Sequence, residues 1–253
     1  MVVSDINEDL LMPLLIYSQP YQYGNIILYP VKMEYIIDFS MYKESIIVRK
    51  DSTFHDKQII KMTYLDFLKH CIKHPEVGQK YNIPMLQHYY QFAIFLLQMV
   101  CKEQEFKLIG DDLYINNEKI TPEIFDDLRR IIIIQNDIDF NIDEFIHYDT
   151  EQALKKAKDR NTNDNVTIED YIDALCVALK YTEEQVMNLS IRKFWRLVKR
   201  YRLFEEYTIC KTGEMSGMVT FKEPIKYWIT SVNEGDQYKD VKTDENALRS
   251  KIG

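Results

Sequence analysis

Five hydroxyl side chains, Thr63, Thr121, Thr167, Thr182 and Ser190, each stand at the head of a segment with helical character, and they divide the chain before any other feature is weighed. A side-chain oxygen at such a position accepts from an amide that the first helical turn leaves unpaired. Behind Thr63, the residues Leu65, Leu68, Cys71 and Ile72 recur at helical spacing until Pro75 and Gly78. Thr121-Pro122-Glu123 opens a helix with Ile124, Phe125, Leu128, Ile131 and Ile132 on its buried side. Thr167 leads a stripe of Ile168, Tyr171, Ile172, Leu175 and Leu179, and Thr182-x-x-Gln185 has the spacing of a capping box. Ser190 starts a helix that should run toward Glu206, with an irregular loop at 211–218 containing Gly213 and Gly217.

The remaining patterns favour strands. Residues 26–62 hold short runs rich in Ile, Tyr, Val and Phe, at Ile26–Tyr29, Tyr35–Phe39 and Ile46–Val48, and read as a small antiparallel sheet. A further helix should begin with Pro84 at its first position and pass through the apolar segment ending near Val100. Phe106–Ile109, Leu113–Ile115 and Lys119-Ile120, separated by Gly110-Asp111-Asp112 and Asn116-Asn117 turns, predict a meander. The fold class is α+β, with a small antiparallel sheet and helices in the N-terminal part and a mainly helical C-terminal part. A mixed region at 1–149, a polar linker-like segment at 150–166, a helical partner-binding region at 167–231 and a polar tail at 232–253 form the expected organisation.

Hydrophobic residues make up 46% of the 253 residues, enough for a core without staples. The four cysteines are scattered and form no C-x-x-C pair, so reduced thiols in a cytoplasm are expected. Acidic residues Asp5, Glu8 and Asp9 stand where a signal peptide would carry positive charge, and no apolar run approaches the roughly 20 residues of a spanning helix. A net charge of −8 works against general attraction to nucleic acid or anionic lipid.

No cofactor fingerprint is present: the chain lacks a phosphate-binding glycine loop, a dinucleotide motif and a nucleophile elbow. Asp137-x-Asp139-x-Asn141-x-Asp143 has the opening spacing of a calcium loop, but Ile142 occupies the glycine position and Tyr148 the closing position. His70 and His74 lie one helical turn apart without a third ligand at motif spacing. No catalytic residue, metal site or cofactor is therefore assigned, and no enzyme activity is expected.

The local anomaly is 192–202, where six cations and no acids occupy one helix of an acidic protein. Phe194, Leu197, Val198 and Tyr201 form an apolar stripe, which a core-packed helix with a solvated basic face would explain. A partner-binding face would use Trp195, Arg196, Lys199 and Tyr201 together with Arg192, Met215 and Met218. A helix-turn-helix formed by the 182–189 and 190–206 helices would instead place the basic helix in DNA.

Thr121-Pro122-Glu123-Ile124-Phe125 leading to Ile134-Gln135-Asn136, and 187–228 with Ser190-Ile191-Arg192-Lys193-Phe194 and Glu214-Met215-Ser216-Gly217-Met218, resemble tail-module proteins of long-tailed bacteriophages, particularly tail assembly chaperones. The resemblance covers the second half of the chain. It implies a non-catalytic protein of the host cytoplasm that coats a tape-measure protein while tail tube subunits assemble, with no membrane association. Its expected partner is a tape-measure or tube protein; the alternative is a nucleic-acid-associated regulator or host-takeover protein acting through 190–206.

Overall fold

In the computed structural model, residues 8–143, 166–217 and 220–230 are described. The chain divides into two units, Met1–Trp195 and Arg196–Gly253. The fold class is α+β, and the division falls within the last helix.

The first unit begins with α1 (Glu8–Tyr17), followed by a hairpin of β1 (Tyr21–Tyr23) and β2 (Ile26–Leu28). Gly24 turns the hairpin at φ 56°, in the left-handed region where a residue without Cβ is unstrained. Next come α2 (Ile36–Tyr42), α3 (Lys50–Thr53), α4 (Lys57–Lys61), α5 (Tyr64–Lys73), α6 (Glu76–Lys80) and α7 (Tyr89–Val100). The expected meander forms as β3 (Phe106–Ile109), β4 (Asp112–Ile115) and β5 (Glu118–Lys119), antiparallel in the order β3-β4-β5. After α8 (Pro122–Gln135) come α9 (Ile168–Leu179), α10 (Glu183–Met187) and α11 (Ile191–Met215), the last of which continues into the second unit.

The hydroxyl caps operate as the spacing predicts. Thr63, Thr121, Thr167 and Thr182 accept from the amides of Asp66, Ile124, Asp170 and Gln185, and Ser190 Oγ accepts from Lys193 N at 3.3 Å. Asp170 and Gln185 return the bond to the cap amide, so two helices carry complete capping boxes. Phe67 and Leu68 of α5, Leu96 of α7, and Leu128 and Ile131 of α8 are among the fully buried residues where these three helices pack. Burying side chains of this size contributes roughly 1.5–3 kcal/mol each.

The sheet expected across 26–62 is not formed. Only 26–28 is a strand; 36–42 is helical because Phe39 and Tyr42 lie one turn apart, Phe39 buried and Tyr42 against Phe92 and Phe95 of α7 at 5.6 and 5.4 Å. Within the apolar run that reads as a strand, Ile37 is left 77% exposed. The segment 43–46 is a 3₁₀ turn.

Pro84 does not open the next helix. Residues 83–88 close as turns, with Ile83 N donating to Gly78 O at 2.8 Å, and α7 starts only at Tyr89. A Cβ at Gly78 would meet Ile83 O at 2.7 Å, so this packing requires glycine. The loop expected at 211–218 is likewise helical as far as Met215. Gly213 is tolerated inside the helix, which ends where Gly217 adopts φ 71°.

The hairpin is sustained largely by side-chain amides. Ile27 exchanges bonds in both directions with Gln104, Leu28 O accepts from Gln135 Nε2, and Val31 N donates to Asn136 Oδ1 at 2.8 Å. Tyr29 N donates to Val100 O, Met33 N to Leu189 O, and Val31 O accepts from Ile191 N. Backbone that would normally need neighbouring strands is thereby satisfied from three distant parts of the unit.

Candidate functional site

Within the first unit, the start of α11 is committed to packing. Phe194 and Ile191 are buried, and Arg192 is only 7% exposed. Trp195 is half-buried, edge-on to Tyr171 of α9 at 5.2 Å and to Phe194 at 5.1 Å. Arg192 is thus withdrawn from the expected contact face, and the Trp195 ring is used at least partly to join α11 to α9. Tyr171 already lay on the apolar stripe of α9, and Trp195 is the residue that meets it.

Of the other expected contacts, Arg196 is half-buried and Lys199 exposed. Tyr201 is half-buried and donates to Glu205 Oε1 at 2.7 Å, a bond that raises its phenol pKa. Met215 is 85% exposed at the helix end. Met218 lies outside the described residues, as do most of the linker-like segment and all of the polar tail.

The second unit brings together residues that sequence reasoning left unassigned. Residues 227–230 lie along the helix, where Arg200 donates to the carbonyls of Trp228 and Thr230. The Phe204 and Trp228 rings meet edge-on at 5.3 Å, and Tyr207 and Tyr227 at 5.4 Å. The available signal was the pairing of Phe204 and Tyr207, one turn apart, with the adjacent aromatics Tyr227 and Trp228. Their arrangement gives an arginine-clamped aromatic ladder.

None of the described residues from Arg196 to Thr230 is buried. Ile209 is 72% exposed and Ile229 60%, and Phe204 and Tyr227 also remain exposed. A helix and one return segment cannot derive much stability from such partial coverage. Exposed apolar side chains grouped on a helix and its return segment are a feature shared with protein-association surfaces.

The basic helix also offers less charge to a phosphate backbone than its composition promises. Arg192 is buried, and Arg200 spends its hydrogen bonds on main-chain carbonyls. Nucleic-acid affinity depends on how many cations reach phosphates, so these commitments weaken the alternative.

Elsewhere, His70 and His74 stack at 4.2 Å, and His74 Nδ1 pairs with Glu76 Oε1 at 2.9 Å. Among the described residues no group of three or more His, Cys, Asp or Glu side chains could hold a metal ion. Asp143, within the calcium-like spacing, forms a two-pronged pair with Arg130. Burial pushes the Cys71 and Cys101 thiols up to about 12, far from nucleophilic use at neutral pH. No helix among the described residues is long and apolar enough to cross a membrane.

Residues 155–233 match the model of a phage-derived family described as YomV second domain. The match covers less than half of the chain and includes the described part of the second unit. It points to a phage-associated protein. No curated protein and no solved structure showed a match.

Proposed function

We propose that this is a non-catalytic, phage-associated binding protein that acts in the host cytoplasm as a tail assembly chaperone, holding a tape-measure or tail tube protein on its second unit. The observation that carries this reading is the absence of any buried side chain among the described residues from Arg196 to Thr230, where Phe204, Ile209, Tyr227 and Ile229 remain exposed. Such a surface suits a helical, apolar partner better than a phosphate backbone. The family match to phage proteins over 155–233 and the resemblance to tail-module proteins supply the biological setting.

Co-expression with the tape-measure and tube proteins of the encoding phage tests it. A stable complex should survive nuclease and high salt on gel filtration, and a Phe204→Asp, Ile229→Asp double variant should lose it. Replacing aromatic and aliphatic anchors typically costs about 2 kcal/mol or more at each hot spot. Failure to bind either tail protein, or binding that disappears on nuclease treatment, would move the function to the nucleic-acid class.

A further inference from the structure

In the first unit, a cleft of about 210 Å³ opens between residues 48–52, the 62–64 turn that begins α5, the middle of α8, and residues 140–142. At its base Arg129 has a side chain only 6% exposed. Its guanidinium lies 3.6 Å over the Tyr64 ring and 5.4 Å from the centre of Phe140, and its Nε donates to Ile46 O. Tyr64 is itself held from both sides, donating to Ser45 O and accepting from Val48 N, each at 3.0 Å. The guanidinium is therefore placed rigidly.

Its remaining donors are not used in the same way. The closest carboxylate oxygen, Asp126 Oδ1, is 3.7 Å away, beyond hydrogen-bond reach, and that oxygen is buried with no hydrogen-bond partner of its own. Arg129 makes no further hydrogen bond to the described residues. A buried arginine ordinarily spends its five N–H donors on the protein, because each one left unmet retains its desolvation cost. An arginine stacked on one ring, anchored through Nε alone and lining a cleft is arranged to receive an acceptor from outside.

We propose that the cleft binds a small monocarboxylate, with the Arg129 fork on the carboxylate and a short apolar body against Met62, Phe140 and Ile142. The parallel N–H groups of a guanidinium match the two oxygens of a carboxylate. The lining carries Arg49, Lys50 and Arg129 against Asp51 and Asp126, a formal balance of one positive charge that suits a monoanion better than a phosphate dianion. The volume is below the roughly 300–1,000 Å³ of drug-sized pockets and suits an acid of a few carbons. Two sources carry this chemistry: a free acid, or a carboxylate on a protein chain.

Calorimetric titration of the full chain separates them. The probes are sodium butyrate, butyramide and sodium phosphate at matched ionic strength, together with a short peptide bearing a free C-terminal carboxylate and its amidated form. Butyrate should bind saturably, with neutral butyramide weaker by about tenfold or more because it lacks the charge-assisted pair. Ile142→Asp, at a half-exposed wall position, should abolish carboxylate binding without moving the unfolding midpoint. Butyrate binding assigns a free acid, and binding of the peptide alone assigns a protein carboxylate. The proposal is overturned if butyrate and butyramide bind equally, if phosphate binds more tightly than butyrate, if neither carboxylate binds, or if Ile142→Asp leaves binding unchanged.

Discussion

Asn136→Ala removes one side chain that serves two buried main-chain groups, and its cost follows from what each group has left. Asn136 is 1% exposed; its Oδ1 accepts from Val31 N at 2.8 Å and its Nδ2 donates to Ile132 O at 2.9 Å. Val31 is also 1% exposed, so its amide becomes a buried orphan, costing about 1–3 kcal/mol. Ile132 O still accepts from the backbone N of residue 136, so the second loss is nearer the net value of an ordinary hydrogen bond, about 1 kcal/mol. Together they predict destabilisation of about 2–4 kcal/mol. Urea denaturation should show a lower midpoint with an unchanged slope, and hydrogen exchange should show loss of protection at the Val31 amide. A change below about 0.5 kcal/mol, the scale of ordinary surface substitutions, with Val31 still protected would refute the account.

Three further perturbations probe different parts of the molecule. Gly78→Ala should destabilise by about 1–3 kcal/mol in thermal unfolding, because the new Cβ meets the Ile83 carbonyl at 2.7 Å. Trp195→Ala should lower stability by about 1–2 kcal/mol without any partner present, since a half-buried ring loses its contacts with Tyr171 and Phe194; an unchanged midpoint would return Trp195 to the role of a surface anchor. Hydrogen bonds from Lys119 and Lys69 hold the Asp112 carboxyl below its ordinary 3.8. Its contribution is therefore present above the unfolded value and lost as pH falls through the depressed folded value, which an NMR titration of Asp112 beside acid unfolding should show.

Helix starts were legible because capping is local. Thr63, Thr121, Thr167 and Thr182 needed only the amides of the next turn, and the structure uses each of them. The meander was equally readable, since Gly110 and Asn117 sit at left-handed positions between its strands. The 36–46 region was not, because a short run of Ile, Phe and Tyr fits a strand until Tyr42 meets α7, far along the chain. Gly213 looked like a breaker, yet the helix continued to Met215. Among the candidate contacts, exposure at Met215 was consistent with sequence reasoning, whereas Arg192 depended on packing that composition does not encode. The Arg129 cleft was invisible for the same reason: Ile46, Tyr64 and Phe140 approach one guanidinium from separate segments.

Threading residues 26–33 through amides from other segments also sets a schedule for folding. The stretch is synthesised before its partners at Val100, Gln104, Gln135, Asn136, Leu189 and Ile191, which follow it by roughly 70 to 160 residues. Contacts so distant in sequence close slowly, since loop entropy is lost before they return any stability. At translation rates of about 5–20 residues per second, Val31 O must wait about 8–32 seconds for Ile191, hydrated or borrowed by other partners meanwhile. Chains released before Leu189 would leave Val31 O without its native donor and Met33 N without its native acceptor, making the junction near residue 190 a checkpoint for completion of the first unit.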